Sequence, residues 1–143
     1  VIKLTQCRIK KSNASVYIQP NMPSVSADRH HMFEVAQNLI DNALKFNREG
    51  CKPDISVTAT MDEESVTCCV ADKGIGIDPK FQYRIFGLFD RLDQSYEGNG
   101  VGLALVKRII EVHNGEITVK SKGDGYGAEF CFTLPAVHQE AEL

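Results

Sequence analysis

Two runs of strict alternation, DISVTAT at 54–60 and SVTCCVA at 65–71, stand on either side of the polar stretch MDEE. Successive strand side chains point to opposite faces, so period-two runs this close together predict an antiparallel hairpin with one apolar face, ending at Asp72. Such a hairpin needs something to cover that face, and the flanking chain supplies helices. From Asp28 to Asn47 the spacing is helical. At about 100° per residue, Phe33, Ala36, Leu39, Ile40, Ala43, Leu44 and Phe46 fall on one side, and Glu34, Asn38, Asp41, Asn42 and Lys45 on the other. Asp28 is the expected N-cap, with Pro23 closing off what precedes it. A second helix, apolar over most of its circumference, is predicted from Val101 to the stop signal Asn114–Gly115. EITVKS and AEFCFTLP form a last hairpin around KGDGYG, and residues 1–12 are expected as a helix with Val1, Leu4 and Ile9 inward. The charged, aperiodic stretch from Asp78 to Gly98 reads as a long surface loop with a short helix in it, and loops of that length in compact domains are usually functional. These elements predict one mixed sheet with helices on one face, a two-layer α/β sandwich spanning a single domain over residues 1–143.

Composition narrows the function classes. The 143 residues are 43% apolar and 24% charged, enough to bury a core without staples. A net charge of −3 offers no basic field of the kind that drives nucleic-acid binding. Cys7, Cys51, Cys68, Cys69 and Cys131 are odd in number and lack CxxC spacing, which predicts reduced core residues and a cytoplasmic setting. No run of eighteen apolar residues occurs, and the N-terminus lacks the order of a signal peptide, so no direct membrane contact is expected of this domain. The start at Val1 and the polar tail VHQEAEL suggest a domain excised from a longer chain.

Three groups of polar and glycine residues fall outside the core pattern. Asn38 and Asn42 are one helical turn apart, and Lys45 lies close to them around the axis, so two amide oxygens and an ammonium point the same way. A hard cation takes oxygen ligands, and neutral amides bind it without repelling a polyphosphate; a solvated helix face is the plain alternative. Gly98, Gly100 and Gly102 precede a helix, whose N-terminal N–H groups can meet an anion. A dinucleotide fingerprint would need a strand before these glycines, and Leu103 stands at its third position; no Gly-Lys-Ser/Thr of a Walker loop occurs. Asp72 leaves a strand end, where its carboxylate could accept from an exocyclic amine. Gly74 and Gly76 allow backbone to approach a flat base, and Ile77 offers an apolar wall; an ordinary turn fits as well.

Taken in order, these pieces resemble the catalytic, ATP-binding domain of sensor histidine kinases, within the group of ATPases that includes DNA gyrase, heat-shock chaperones and mismatch-repair proteins. The resemblance runs from about Ala14 to Pro135. QNLIDNALKF is similar to the N box, DKGIGI to the first Gly box and IFGLFDRL to the F box; GNGVGLALVKRIIEVHNGEI matches the second Gly box and GDGYGAEFCFTLP the last. It implies the Bergerat fold, with ATP and Mg²⁺ as ligands. Asn42, with Asn38 nearby, would hold the metal, Lys45 would meet phosphate and Phe46 would flank the adenine. Asp72 would take the adenine amine, with Gly74, Gly76 and Ile77 lining the pocket. Phe86 and Phe89 of the F box, and Gly98, Gly100, Val101, Gly102 and Leu103, complete the implied nucleotide-binding set. Residues 78–99 would form a mobile lid.

Departures from the family pattern shape the expected chemistry. The wider group carries a water-activating glutamate where this chain has Asn38, so hydrolysis is not the expected reaction. Leu88 stands where some members have an arginine, which leaves phosphate neutralisation to Lys45 and Arg91; Asn38, Lys45 and Arg91 form the expected catalytic set. Ala128 replaces a common Thr or Ser near the adenine. His30, His31, His113 and His138 all lack a phosphoacceptor context, and His113 reads as a structural helix-end residue. The implied acceptor is therefore a histidine on a separate dimerisation domain of the parent kinase, with a response-regulator receiver domain as indirect partner and a parent free to be membrane-anchored. A nucleotide-dependent interaction module and a serine kinase of the anti-sigma type are the alternatives on the same fold.

Overall fold

The computed structural model describes residues 13–25, 27–46, 51–77, 82, 85, 86, 102–121 and 127–136. The expected helix at 1–12, the turn at 122–126 and most of the predicted lid lie outside them. Five strands, β1 (Ser15–Ile18), β2 (Asp54–Met61), β3 (Ser65–Asp72), β4 (Ile117–Lys120) and β5 (Glu129–Pro135), form one sheet in the order β1-β2-β3-β5-β4. β1 runs parallel to β2, and every other pairing is antiparallel. Helices α1 (Arg29–Lys45) and α2 (Gly102–Val112) pack on one face, which gives the expected two-layer sandwich. β1 has no counterpart in the sequence reading. It is a four-residue edge strand, mostly exposed, whose parallel partner is 39 residues further on by register, Ser15 opposite Asp54.

Burial follows the pleat. Phe130, Phe132 and Leu134 of β5 and Ile55 and Val70 of the central strands turn inward against Val35, Leu39 and Ala43 of α1 and Val106, Ile109 and Ile110 of α2. Val35, which the helical wheel assigned to neither side, is fully buried, whereas Phe33, Ala36 and Phe46 are only half-buried. The helix is thus rotated so that 35, 39 and 43 face the sheet. α1 begins at Asp28, whose carboxylate accepts from the His31 N–H at 3.0 Å, and that bond holds its carboxyl below the usual range. α2 closes with Asn114 at φ 63°, and the Gly115 N–H returns to the Ile110 carbonyl at 2.9 Å. His113 is structural, as expected: Nδ1 lies 2.8 Å from the Ile109 carbonyl and Nε2 accepts from the Asp28 N–H at 3.1 Å, so it joins the end of α2 to the cap of α1.

The cysteine expectation needs correction. Cys69 and Cys131 are directly opposed across β3 and β5 on the face away from the helices and are joined in a disulfide, Cα–Cα 4.1 Å. Cys51 is exposed rather than core, and among the described residues only Cys68 is a half-buried thiol, pushed up to about 11 by burial.

Candidate functional site

The polar face of α1 and the start of α2 meet. Asn38 donates its Nδ2 to the Glu34 carbonyl at 2.8 Å, which fixes the carboxamide and turns Oδ1 toward α2. A Cβ on Gly102 would stand 2.9 Å from that oxygen, so the first residue of α2 rests on the Asn38 amide. The start of α2 and the Asn38 amide of α1 are therefore adjacent, and a helix start beside an amide side chain is a combination suited to a polyphosphate and its cation. Asn42 is half-exposed one turn further on, and Lys45 is exposed in the last turn.

The C-terminus of α1 is fastened to the turn after β3. Phe46 donates its N–H to Asn42 O at 3.0 Å, and its own carbonyl accepts from Ile75 N at 2.9 Å. Gly74 sits so close to the Phe46 carbonyl that any Cβ would collide with it, and it would also touch Asp72 Oδ1. Gly74 thus serves a close approach of backbone to the end of α1, and Gly76 is left-handed at φ 77°. Asp72 Oδ1 accepts from Gly74 N at 2.8 Å and from Ala128 N at 3.3 Å. Both bonds end on the same carboxylate oxygen. Burial raises the Asp72 carboxyl above its ordinary range, and these two bonds only partly oppose it.

Two features of the site escaped the sequence reading. The first is Ser121, one residue past β4, whose hydroxyl accepts from Ile77 N at 2.9 Å and donates to Gly127 O at 2.7 Å. The second is Ile85, buried in the core beside Phe86, whose ring meets Phe130 edge-on at 6.1 Å. Of the predicted loop, Ile85 and Phe86 pack on the core. Ile77 and Leu103 are half-buried and pack against the core. The structure thus brings Asn38 to Gly102 and the Asn42–Phe46 end of α1 to the Asp72–Gly76 turn. Phe89, Arg91, Gly98, Gly100 and Val101 lie outside the described residues. The tightest grouping of metal-ligating side chains among the described residues, Cys69, Glu129 and Cys131, is on the opposite face of the sheet, and its sulfurs are tied to each other.

Residues 27–138 match the family model described as histidine kinase-, DNA gyrase B- and HSP90-like ATPase. The chain belongs to this family. It is 43% identical over 137 residues to cyanobacterial phytochrome A of Nostoc sp., covering 94% of this chain and 18% of that protein. It is 39% identical over 127 residues to the methanogenesis regulatory histidine kinase FilI of Methanothrix harundinacea, covering 89% of this chain and 14% of that protein. Among solved structures, the catalytic domain of histidine kinase ThkA superimposes with a TM-score of 0.79 at 27% identity, covering 94% of this chain and 87% of that one. The chain thus spans less than a fifth of these two curated relatives and nearly all of an isolated catalytic domain. Among the described residues no helix is long and apolar enough to cross a membrane.

Proposed function

We propose that this chain is the ATP-binding catalytic domain of a protein-histidine kinase, which binds Mg-ATP and positions its γ-phosphoryl group for attack by a histidine on the dimerisation domain of the parent protein. One observation carries the reading: a half-buried carboxylate, Asp72, is held by two backbone N–H bonds on one oxygen beside a glycine turn packed on the end of α1. That arrangement leaves Oδ2 to accept from the exocyclic amine of adenine, with Ile77 as the apolar wall. Asn42 and Asn38 would hold Mg²⁺, whose contribution when bound is to screen the polyphosphate charge. Their neutral amide oxygens fit a cation that keeps phosphate oxygens in its shell. Lys45 and the N–H groups opening α2 stabilise negative charge on the phosphates. Phosphoryl transfer asks mostly for positioning: an imidazole nitrogen bonds to the γ-phosphorus, the bond to the β–γ bridging oxygen breaks and ADP leaves.

No glutamate stands at Asn38 to activate water, which supports transfer to a histidine over hydrolysis. The test uses the 143-residue chain with radiolabelled ATP, alone and with the dimerisation domain of its own parent. Alone it binds Mg-ATP, turns it over very slowly and does not label itself. With the added domain, label appears on that domain's histidine in an acid-labile, alkali-stable linkage. Label on serine would assign the chain to the serine kinases, and binding without any transfer would assign it to the interaction modules.

A further inference from the structure

Irregular backbone on either side of Asp72 is held by a side chain that the family motifs do not account for. Gly76, at φ 77°, precedes Ile77, and Gly127, at φ 72°, precedes Ala128, whose N–H reaches Asp72 Oδ1. Neither turn lies within a strand ladder. They are linked by the Gly127 N–H to the Gly74 carbonyl at 3.1 Å and by Ser121, whose single hydroxyl accepts from one turn and donates to the other. A hydroxyl has one proton and two lone pairs, so it can bridge an N–H and a C=O; alanine can do neither. Gln82 adds to the same point, donating Nε2 to Ser121 O at 3.0 Å and to Ile77 O at 3.4 Å. Gly127 has no room for a Cβ against the Asp72 carbonyl, so the two turns are in direct contact and a shift in one is felt by the other.

We propose that Ser121 is a positioning residue for base recognition: by bridging Ile77 N and Gly127 O it aims the Ala128 N–H at Asp72 and holds Ile77 in place, and so sets how strongly the exocyclic amine of the base is read. This rests on the reading of the chain as an ATP-binding domain with Asp72 as amine acceptor. Ser121 itself touches backbone, and its effect on the ligand passes through Asp72 and Ile77.

The experiment compares two nucleotides, ATP and purine riboside triphosphate, which lacks the exocyclic amine, by titration calorimetry on the parent chain and on Ser121→Ala, Ser121→Thr and Ser121→Cys. The parent binds ATP at least about tenfold more tightly than the deaminated analogue, the worth of one good polar contact. Ser121→Ala narrows that ratio toward one, and Ser121→Thr, which keeps the hydroxyl, restores it. Should the alanine variant fail to fold, Ser121→Cys preserves the volume with a weak donor and acceptor and narrows the ratio in its place. A variant that weakens both nucleotides equally, or that leaves the ratio at the parent value, overturns the proposal and makes the bridge purely structural. A parent chain that binds ATP and the analogue alike overturns the Asp72 reading itself, and a parent that binds neither overturns the nucleotide reading, so the failures are distinguishable.

Discussion

Asp72→Asn separates binding from stability in opposite directions. The carboxylate accepts both of its backbone bonds on Oδ1, so an asparagine carbonyl can occupy the same position and keep Gly74 N and Ala128 N satisfied. Its Nδ2 then replaces Oδ2 and presents a donor where the ligand also brings a donor. The loss is that of a hydrogen bond to a charged group, about 1.5–3 kcal/mol, or about 10- to 150-fold in affinity for ATP. Folding responds differently. Burial raises the Asp72 carboxyl in the folded state above its unfolded value, so the folded state holds its proton to higher pH. Its contribution is fully favourable below the unfolded carboxylate range and is lost as pH rises through the folded value, leaving the charge a cost at neutral pH. Asparagine carries no charge to bury. The variant should therefore match or exceed the parent in urea denaturation at pH 7, and its advantage should shrink as pH is lowered toward 4. Calorimetric titration with Mg-ATP measures the binding side. A variant that is markedly less stable at pH 7, or one that binds ATP as well as the parent, would refute the reasoning.

Asn42→Ala should leave the fold intact or slightly firmer, since the side chain is half-exposed and alanine is the better helix former by about 0.5 kcal/mol, while the gain in ATP affinity on adding Mg²⁺ should vanish in paired titrations. Gly102→Ala should place a methyl group 2.9 Å from Asn38 Oδ1 and push the carboxamide away from Glu34 O. Melting temperature should then change little, helix propensity offsetting the lost bond, while ATP affinity drops about tenfold or more. In denaturant-free alkylation at pH 8, exposed Cys51 should react well before Cys68, of which about one thiol in a thousand is ionised with its value near 11. Cys69 and Cys131 should react only after a reductant is added. Opening that disulfide, which spans 62 residues of sequence, should cost up to about 4 kcal/mol of stability on the loop-closure estimate, read from urea midpoints with and without reductant.

The sequence made visible whatever depends on local period. Both hairpins, both helices, the Asp28 cap and the Asn114–Gly115 stop are each decided within a few residues, and the structure places all of them where the patterns put them. What it hid depends on chain segments that meet only after folding. β1 is short, exposed on most positions and paired in parallel to a strand far along the chain, so it shows no alternation to read. The disulfide needs the β3–β5 register, which sets Cys69 opposite Cys131 and is written in neither strand alone. Val35 was lost because apolar residues wrap widely around α1, and a wide stripe does not fix the rotation of a helix on its sheet. Within the site, Asn38, Asn42 and the Asp72–Ile77 turn stood out because polar or glycine residues interrupt an apolar pattern. Ser121 did not, because a serine after an edge strand is ordinary until the last Gly turn and Ile77 are brought to its hydroxyl.

The candidate site residues alternate with core residues along the same elements. Leu39 and Ala43 are buried against the sheet, while Asn38 and Asn42, their immediate neighbours on the same helix, remain half-exposed. Val70 is buried in β3, and Asp72, two residues on, is half-buried at the strand end. Helical and strand periods thus set a core residue one or two positions from each of the proposed ligand-facing residues Asn38, Asn42 and Asp72. A substitution on the ligand side removes few core contacts, which is why Asp72→Asn and Asn42→Ala can weaken binding without unfolding the chain. The exceptions are the contact points where the two sets touch, Gly74 on the Phe46 carbonyl and Gly102 on the Asn38 amide. There the absence of a side chain lets one element press directly on the next, so the placement of α1 relative to β3 and α2 sets the geometry of the candidate site. Glycine at those two positions serves close packing between elements, and the site inherits its rigidity from that packing.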